Sequence, residues 1–270
     1  MTTPSESSAP SRRLLITGAT GGIGLLLAER LNEQGPGYEI IQHGRTPRNE
    51  EQERVLRPAQ ITDLDEMLAL MDGVDTVVHL AGASAPQAEW DDVLDANIVG
   101  TRSVLEAARQ AGVRRVVYAS SNHAFGMWDR NEQWPVLPTT LPRPDSLYGV
   151  SKVFGEALGS YYHDEFGLEF IALRIGWYAQ DPLEADDELL HAMWLSPNDC
   201  VQVVRCAIEA DRSFGAYYAI SENPNRRWDI TNTMVELGYR PQDSWTRFTG
   251  RSEDVVEGGA PVRDTWPSGS

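Results

Sequence analysis

A chain of 270 residues is long enough to bury a sizeable core, and at this length one α/β domain is expected rather than two. A formal net charge of −17 argues against a nucleic-acid or anionic-membrane partner, since either needs a basic face. No transmembrane run is present, and the two cysteines, Cys200 and Cys206, match neither a zinc pattern nor a disulfide framework, so a reducing cytoplasm and no metal are expected. Residues 1–12 are polar, rich in Pro and Ser, and lack the apolar segment of a signal peptide; they are read as a disordered tail. Arg13–Thr17 is a short apolar strand that runs into Gly18-Ala-Thr-Gly21-Gly22-Ile23-Gly24. Leu25–Glu33 then has helical spacing, closed by Gly35-Pro36-Gly37.

Tyr38–Gln42 is a second strand, followed by a helix over Leu64–Met71, a strand over Thr76–Leu80 and the turn Ala81-Gly82-Ala83. Val93–Gln110 reads as one long helix stopped by Gly112, and Arg115–Ala119 as a strand leading to Ser120-Ser121-Asn122-His123. A Pro-rich loop from Trp134 to Pro144 precedes a helix that starts near Leu147, and Glu169–Arg174 is a further strand. Beyond Gly176 the pattern loosens into helical pieces at Leu189–Trp194, Asp199–Glu209 and Thr231–Leu237. From Arg251 the chain is Gly/Pro/Ser-rich and acidic, and is read as a flexible tail. Strands that alternate with helices imply right-handed crossovers and a parallel sheet covered on both faces.

The glycine run sits between a strand and a helix, where glycines allow a tight turn and let a pyrophosphate approach the helix N-terminus. The expected fold is therefore a Rossmann doubly wound parallel α/β sheet, with its cofactor part over about 13–176 and a small C-terminal substrate cap over about 177–250. The second strand ends His43-Gly44-Arg45-Thr46, with Arg48 following and no carboxylate before Glu50. A carboxylate there would hold the ribose 2′-hydroxyl of NAD, whereas Arg45 suits the 2′-phosphate of NADP, so NADP is the preferred cofactor and NAD the alternative.

Of the 23 cationic side chains, Lys152 is the sole lysine, and it stands four residues after Tyr148. On a helix the pair shares one face. Lysine's compact ammonium is not replaceable by the arginine fork, so a specific role is implied. An ammonium and an oxidised nicotinamide ring beside Tyr148 are expected to lower its pKa, from about 10, far enough for it to serve as an acid/base.

The glycine motif, His79-Leu80-Ala81-Gly82, Asn97 in Asn-Ile-Val-Gly-Thr, Ser121 and Tyr148-x-x-x-Lys152 together resemble the extended short-chain dehydrogenase/reductase superfamily. Ser-Ser-Asn-His, Arg143-Pro-Asp-Ser-Leu-Tyr-Gly-Val-Ser-Lys, Leu173-Arg-Ile-Gly and Trp194-Leu-Ser-x-x-Asp199 resemble uronate dehydrogenases and archaeal NAD-dependent glucose-6-phosphate dehydrogenases. The resemblance implies Ser121, Tyr148, Lys152 and Asn97 as catalytic groups, although Asn97 reads equally well as a capping or helix-kinking amide. It further implies Gly18, Gly21, Gly22, Ile23, Gly24, Arg45, Leu80, Ala81, Gly82 and Ile175 at the cofactor, together with Tyr148 and Lys152. Substrate contacts are expected from Ser84, Ser121, Asn122, His123, Tyr148 and Trp177.

Two departures bear on the substrate. The arginine that such enzymes place five residues before the tryptophan of Trp-Leu-Ser is Leu189 here, preceded by Asp186, Asp187 and Glu188, and the serine that follows Arg-Ile-Gly is Trp177. Without a bidentate arginine a carboxylate or phosphate loses its natural partner. The expected activity is NAD(P)-dependent interconversion of a sugar- or polyol-like, or more apolar, alcohol with its carbonyl or lactone. The alternatives are a uronate or aldose dehydrogenase proper, an epimerase or dehydratase that recycles the hydride, and a non-catalytic dinucleotide sensor. By analogy with relatives, the helix through Val93–Gln110 and the Tyr148 helix are expected to pair in a homodimer.

Overall fold

A computed structural model describes residues 12–33, 37–48 and 50–248, so both expected tails, apart from Arg12, and Gly35 and Pro36 lie outside the described residues. Near-continuous aliphatic runs make the central strands: in β1 (Arg12–Thr17) Leu14, Leu15 and Ile16 are at most 1% exposed, and β4 (Thr76–His79) is buried throughout. Around them lie β2 (Tyr38–His43), β3 (Leu56–Arg57), β5 (Arg115–Ser121), β6 (Glu169–Ile175) and β9 (Phe214–Ala219). They form one parallel sheet in the order β3-β2-β1-β4-β5-β6-β9, while β7 (Trp177–Tyr178) and β8 (Trp194–Leu195) pair separately.

Helices Gly22–Arg30 and Pro197–Glu209 cover one face, where Leu27, Val203 and Val204 join Leu173 in a core. Helices Leu64–Leu70, Gly100–Ala111 and Leu147–Phe166 cover the other, where Met67, Val104 and Tyr162 pack with Val77 and Phe170. Strand order reverses at β1: the chain first fills the β2–β3 side, then crosses to β4 and continues outward. Loops leaving β1 and β4 therefore diverge and open a crevice at the carboxyl ends of the strands.

Several elements differ from the sequence reading. The first helix begins at Gly22, three residues early, because Gly21 is extended and serves as its N-cap. The expected helix Val93–Gln110 is a π-helical stretch, Val93–Val99, followed by the α-helix Gly100–Ala111. Such wide turns occur mostly at functional sites, and this one carries Asn97. Strands β3 and β9 were not expected. The stretch after Gly176 divides: Trp177–Leu195 faces the crevice, whereas Pro197–Glu209 and β9 return to the sheet.

Arg115, only 2% exposed, ties that return in place. Its Nη1 donates to the carbonyls of Ala207 and Ile208 at 2.7 and 2.9 Å, and Nη2 to those of Ala210 and Arg212 at 2.8 and 2.9 Å. One guanidinium thus satisfies the carboxyl end of helix Pro197–Glu209, while Nε reaches Glu169 at 2.8 Å. Replacing Arg115 by Met is expected to lower the unfolding free energy by about 3 kcal/mol with an unchanged urea m value. A loss below about 0.5 kcal/mol, the range of an ordinary surface change, would contradict this role.

Candidate active site

At the crevice Thr17 and His79 end β1 and β4 side by side, with Thr17 Oγ1 2.8 Å from His79 Nδ1. His79 Nε2 lies 3.2 Å from Thr101 Oγ1, so the ring joins both strands to the helix behind them. Burial, with Lys152 nearby, pulls the His79 pKa down to about 3 and keeps the ring neutral. Beyond Thr17, Gly18 has a left-handed φ of 72°, and a Cβ there would stand 2.7 Å from the Ala81 nitrogen. A Cβ on Gly24 would stand 2.3 Å from the Gly18 carbonyl oxygen, so the loop closes only on glycine.

These residues bound a cavity of about 310 Å³ lined by the anticipated Gly18, Gly21, Gly22, Ile23, Gly24, Leu80, Gly82, Ser84, Ser121, Tyr148, Lys152 and Ile175, and also by Ala83, Ala119, Ser120, Gly176 and Tyr178, which the sequence reading does not place there. Helix Gly22–Arg30 starts at its edge with no side-chain cap, leaving its first N–H groups to meet an anion. A dinucleotide fits this donor set: the glycine loop would hold its pyrophosphate, and Tyr148 and Lys152 would face its nicotinamide end. Two anticipated cofactor residues stand apart. Ala81 lies behind the wall, its N–H donating to Thr17 Oγ1 at 3.3 Å, and Arg45 is exposed beyond the end of β2, outside the lining.

Tyr148 and Lys152 lie in the first turns of helix Leu147–Phe166, whose N-cap Ser146 accepts from the Gly149 N–H at 3.0 Å. The tyrosine is 8% and the lysine 5% exposed. Lys152 Nζ sits 5.0 Å from the Tyr118 ring centroid and 5.4 Å from that of Tyr148. Burial pulls the ammonium down to about 8 and pushes the Tyr148 phenol up to about 12, the latter opposed by a hydrogen bond from Ser121. The expected lowering counts the oxidised nicotinamide ring as well as the lysine; in the protein by itself burial moves the phenol the other way. Desolvation of the phenol outweighs the Ser121 hydrogen bond.

Asn97, 1% exposed, lines neither cavity. Its Oδ1 accepts from the Ala83 N–H at 2.7 Å, and its Nδ2 donates to the Ala83 carbonyl at 3.0 Å and to Ser151 Oγ at 2.9 Å. Ser151 Oγ in turn donates to the Tyr148 carbonyl at 2.7 Å. The amide thus clamps the loop that carries Ser84 onto the helix that carries Tyr148, a role distinct from the capping or helix-kinking amide weighed from the sequence. Ser151 had no sequence signal of its own.

A second cavity, about 300 Å³, shares Ser84, Ser121, Tyr148, Gly176 and Tyr178 with the first. Asn122, His123 and Trp177 line it as anticipated, and Pro86, Gln87, Asp187, Leu189, Leu190 and Met193 complete the wall. Asn122 is fixed by Ser121 Oγ at 3.3 Å and Met193 Sδ at 2.9 Å. Asp187 caps helix Glu188–Met193 by accepting from the Leu190 N–H at 3.0 Å. Sequence reasoning missed Leu190 and Met193, which reach the cavity only through the fold of that short helix.

The buried ammonium has a consequence for stability. With a folded pKa of about 8 against an ordinary value of 10.5, the penalty for holding the charge is complete below pH 8 and is relieved as pH rises to 10.5, where the unfolded chain binds the extra proton. Lys152→Met is expected to be more stable than the wild type at neutral pH, and that advantage to shrink by about 3 kcal/mol between the two pH values. Urea unfolding of both proteins without cofactor measures this; an advantage independent of pH would contradict it.

Comparison with known proteins agrees with this geometry. Residues 14–179 match the model of the NAD dependent epimerase/dehydratase family. An L-arabinose 1-dehydrogenase (NAD(P)(+)) of Haloferax volcanii is 40% identical over 256 residues, covering 86% of this chain and 97% of that protein. An NAD-dependent glucose-6-phosphate dehydrogenase of the same organism is 37% identical over 260 residues, covering 90% and 98%. Among solved structures, a mutant uronate dehydrogenase from Agrobacterium tumefaciens complexed with NAD superimposes with a TM-score of 0.77 at 28% identity, covering 93% of this chain and 92% of that one. With its sheet order, glycine loop and Tyr148–Lys152 pair, this chain belongs to the NAD dependent epimerase/dehydratase family.

Proposed function

We propose that this protein is an NAD(P)-dependent dehydrogenase that oxidises the anomeric hydroxyl of a neutral aldose to the lactone. The observation that carries the reading is the second cavity: hydroxyl, amide and imidazole groups gather around Tyr148, while Leu189, Leu190, Met193 and Trp177 form the opposite wall and Asp187 is its carboxylate. Aldose hydroxyls find partners among the former, whereas among the described residues a carboxylate or phosphate meets no arginine or lysine in the lining. The arabinose dehydrogenase among the relatives acts on such a neutral sugar, as its name states.

Bound nicotinamide supplies the hydride acceptor. Ser121 Oγ holds the reacting sugar oxygen, and the Tyr148 phenol oxygen takes its proton as the hydride leaves the same carbon. In the reverse direction Tyr148 returns that proton. Lys152 offers its N–H donors along the cofactor cavity, and its charge, together with that of the oxidised ring, favours the phenolate that burial alone disfavours. Asn97 acts through Ser151 to hold Tyr148 in register with Ser84.

The relatives' names support NAD as a cofactor. Arg45, exposed beyond β2 with no carboxylate before Glu50, supports acceptance of NADP in preference. Residues 13–250 act as one domain in this reading, with Trp177–Leu195 as the part that encloses substrate. A homodimer is also proposed: Leu94, Val99, Val150, Tyr161 and Phe166, all exposed, crowd the two helices that would pair. Cytoplasmic placement follows from the thiol usage, and among the described residues no helix is long and apolar enough to cross a membrane.

Initial rates with neutral aldoses, their uronates and both nicotinamide cofactors test the proposal. A neutral aldose is expected to exceed its uronate in kcat/KM by at least about tenfold, with net reduction of the cofactor, and Tyr148→Phe to lower kcat by roughly 10²–10⁴-fold while still binding cofactor. A uronate preferred tenfold, or product formed without net cofactor reduction, would overturn it. Leu189→Arg is expected to raise uronate turnover relative to the aldose by about tenfold, the value of one charge-assisted hydrogen-bonded pair; an unchanged ratio would show that Leu189 does not set charge preference.

A further inference from the structure

His123 lines the substrate cavity with its ring edge-on to Tyr148, centroids 5.8 Å apart. Its Nδ1 lies 3.0 Å from both carboxyl oxygens of Asp145, whose side chain is 1% exposed. Neither the family comparison nor the sequence motifs assign Asp145 a role. It is held with unusual thoroughness. Backbone hydrogen bonds zip its loop to the turn that carries His123: Arg143 N–H to the Ala124 carbonyl at 3.1 Å, Met127 N–H to the Arg143 carbonyl at 3.0 Å, and Asp145 N–H to the His123 carbonyl at 3.3 Å. Ser146 Oγ donates to Asp145 Oδ1 at 3.0 Å. Gly126 makes room for the carboxyl, since a Cβ there would stand 1.7 Å from Asp145 Oδ2.

We propose that Asp145 is a positioning residue: it accepts the Nδ1–H of His123 and so fixes the imidazole with Nε2 as an acceptor for a sugar hydroxyl beside the one that reacts. A carboxyl group in contact with one ring nitrogen of a neutral imidazole settles which nitrogen carries the proton. Where the ring is neutral, Nδ1 then holds the hydrogen and Nε2 is the ring's acceptor. Ser121 and Tyr148 engage the reacting oxygen, so the imidazole 5.8 Å from the Tyr148 ring addresses its neighbour and orients the sugar carbon toward the nicotinamide. This role rests on the reading of the cavity as a sugar site, while the orientation of the imidazole does not.

Two measurements separate those parts. Nitrogen-15 spectra of the five histidines, with His123 assigned through His123→Gln, report the tautomer of the neutral ring without any substrate. The proposal expects Nδ1–H in the wild type, and Nε2–H after Asp145→Asn, whose amide can donate to Nδ1. An Nε2–H ring in the wild type would overturn it, whichever sugar is turned over. In kinetics, Asp145→Asn is expected to raise KM for the aldose about tenfold with KM for NAD and the melting temperature little changed. An aldose lacking the neighbouring hydroxyl should be insensitive to the substitution. Equal losses for both sugars, or a parallel rise in KM for NAD, would reduce Asp145 to a structural residue. Should no aldose react at all, the sugar reading fails and the spectra still decide the His123–Asp145 pair.

Discussion

Lys152 is taken out of water between two tyrosine rings, and burial alone moves its pKa. Much of the site can be read as a response to that burial. The neighbouring groups are kept neutral: His79 is held uncharged by its own burial, Tyr118 is pushed far above the ordinary phenol range, and Tyr148 is pushed up as well. An ammonium among neutral groups interacts strongly with any charge that later enters, because little water remains to screen it. The protein alone therefore holds Tyr148 as the neutral phenol, the state unsuited to proton abstraction, beside a Lys152 that still carries its charge below about pH 8. On the proposed reading, such an arrangement would couple reactivity to occupancy of the glycine loop by the oxidised cofactor.

Chemistry and selection come from different parts of the chain. The ends of β1, β4 and β5 and the first turns of helix Leu147–Phe166 supply the glycine loop, Ser121, Tyr148 and Lys152. Those elements sit in the middle of a parallel sheet, where register is fixed by pairing on both sides. The opposite wall of the substrate cavity comes from Trp177–Met193, a segment of short pieces outside the main sheet. On the proposed reading, substitution there, as at Leu189, would change what is bound while leaving the hydride chemistry in place. That division fits a family whose named members act on arabinose, glucose 6-phosphate and uronates.

What the sequence revealed and what it hid divide along chain distance. The glycine loop is local, because a strand–turn–helix needs those glycines wherever it occurs, and Tyr148 and Lys152 share a face through helical spacing alone. The parallel sheet followed from alternating strands and helices. By contrast, the clamp of Asn97 on Ala83 and Ser151 spans 14 and 54 residues, and the contact of His123 with Asp145 spans 22. Arg115 meets the helix end more than 90 residues away. No periodicity encodes such pairings. Strand β3 is two residues long, and β9 (Phe-Gly-Ala-Tyr-Tyr-Ala) lacks a clear apolar alternation, so both emerged only with the sheet. The upward push on the Tyr148 pKa in the protein alone depends on burial, which a motif does not state.

The central claim is that Tyr148 is neutral in the protein alone and is driven toward phenolate by the oxidised cofactor. Calorimetric titration of that cofactor at about pH 9, in buffers of different ionisation enthalpy, counts the protons exchanged on binding. The account predicts that the wild type releases more protons than Tyr148→Phe by a measurable fraction. Equal proton release from the two proteins, at similar affinity, would contradict it.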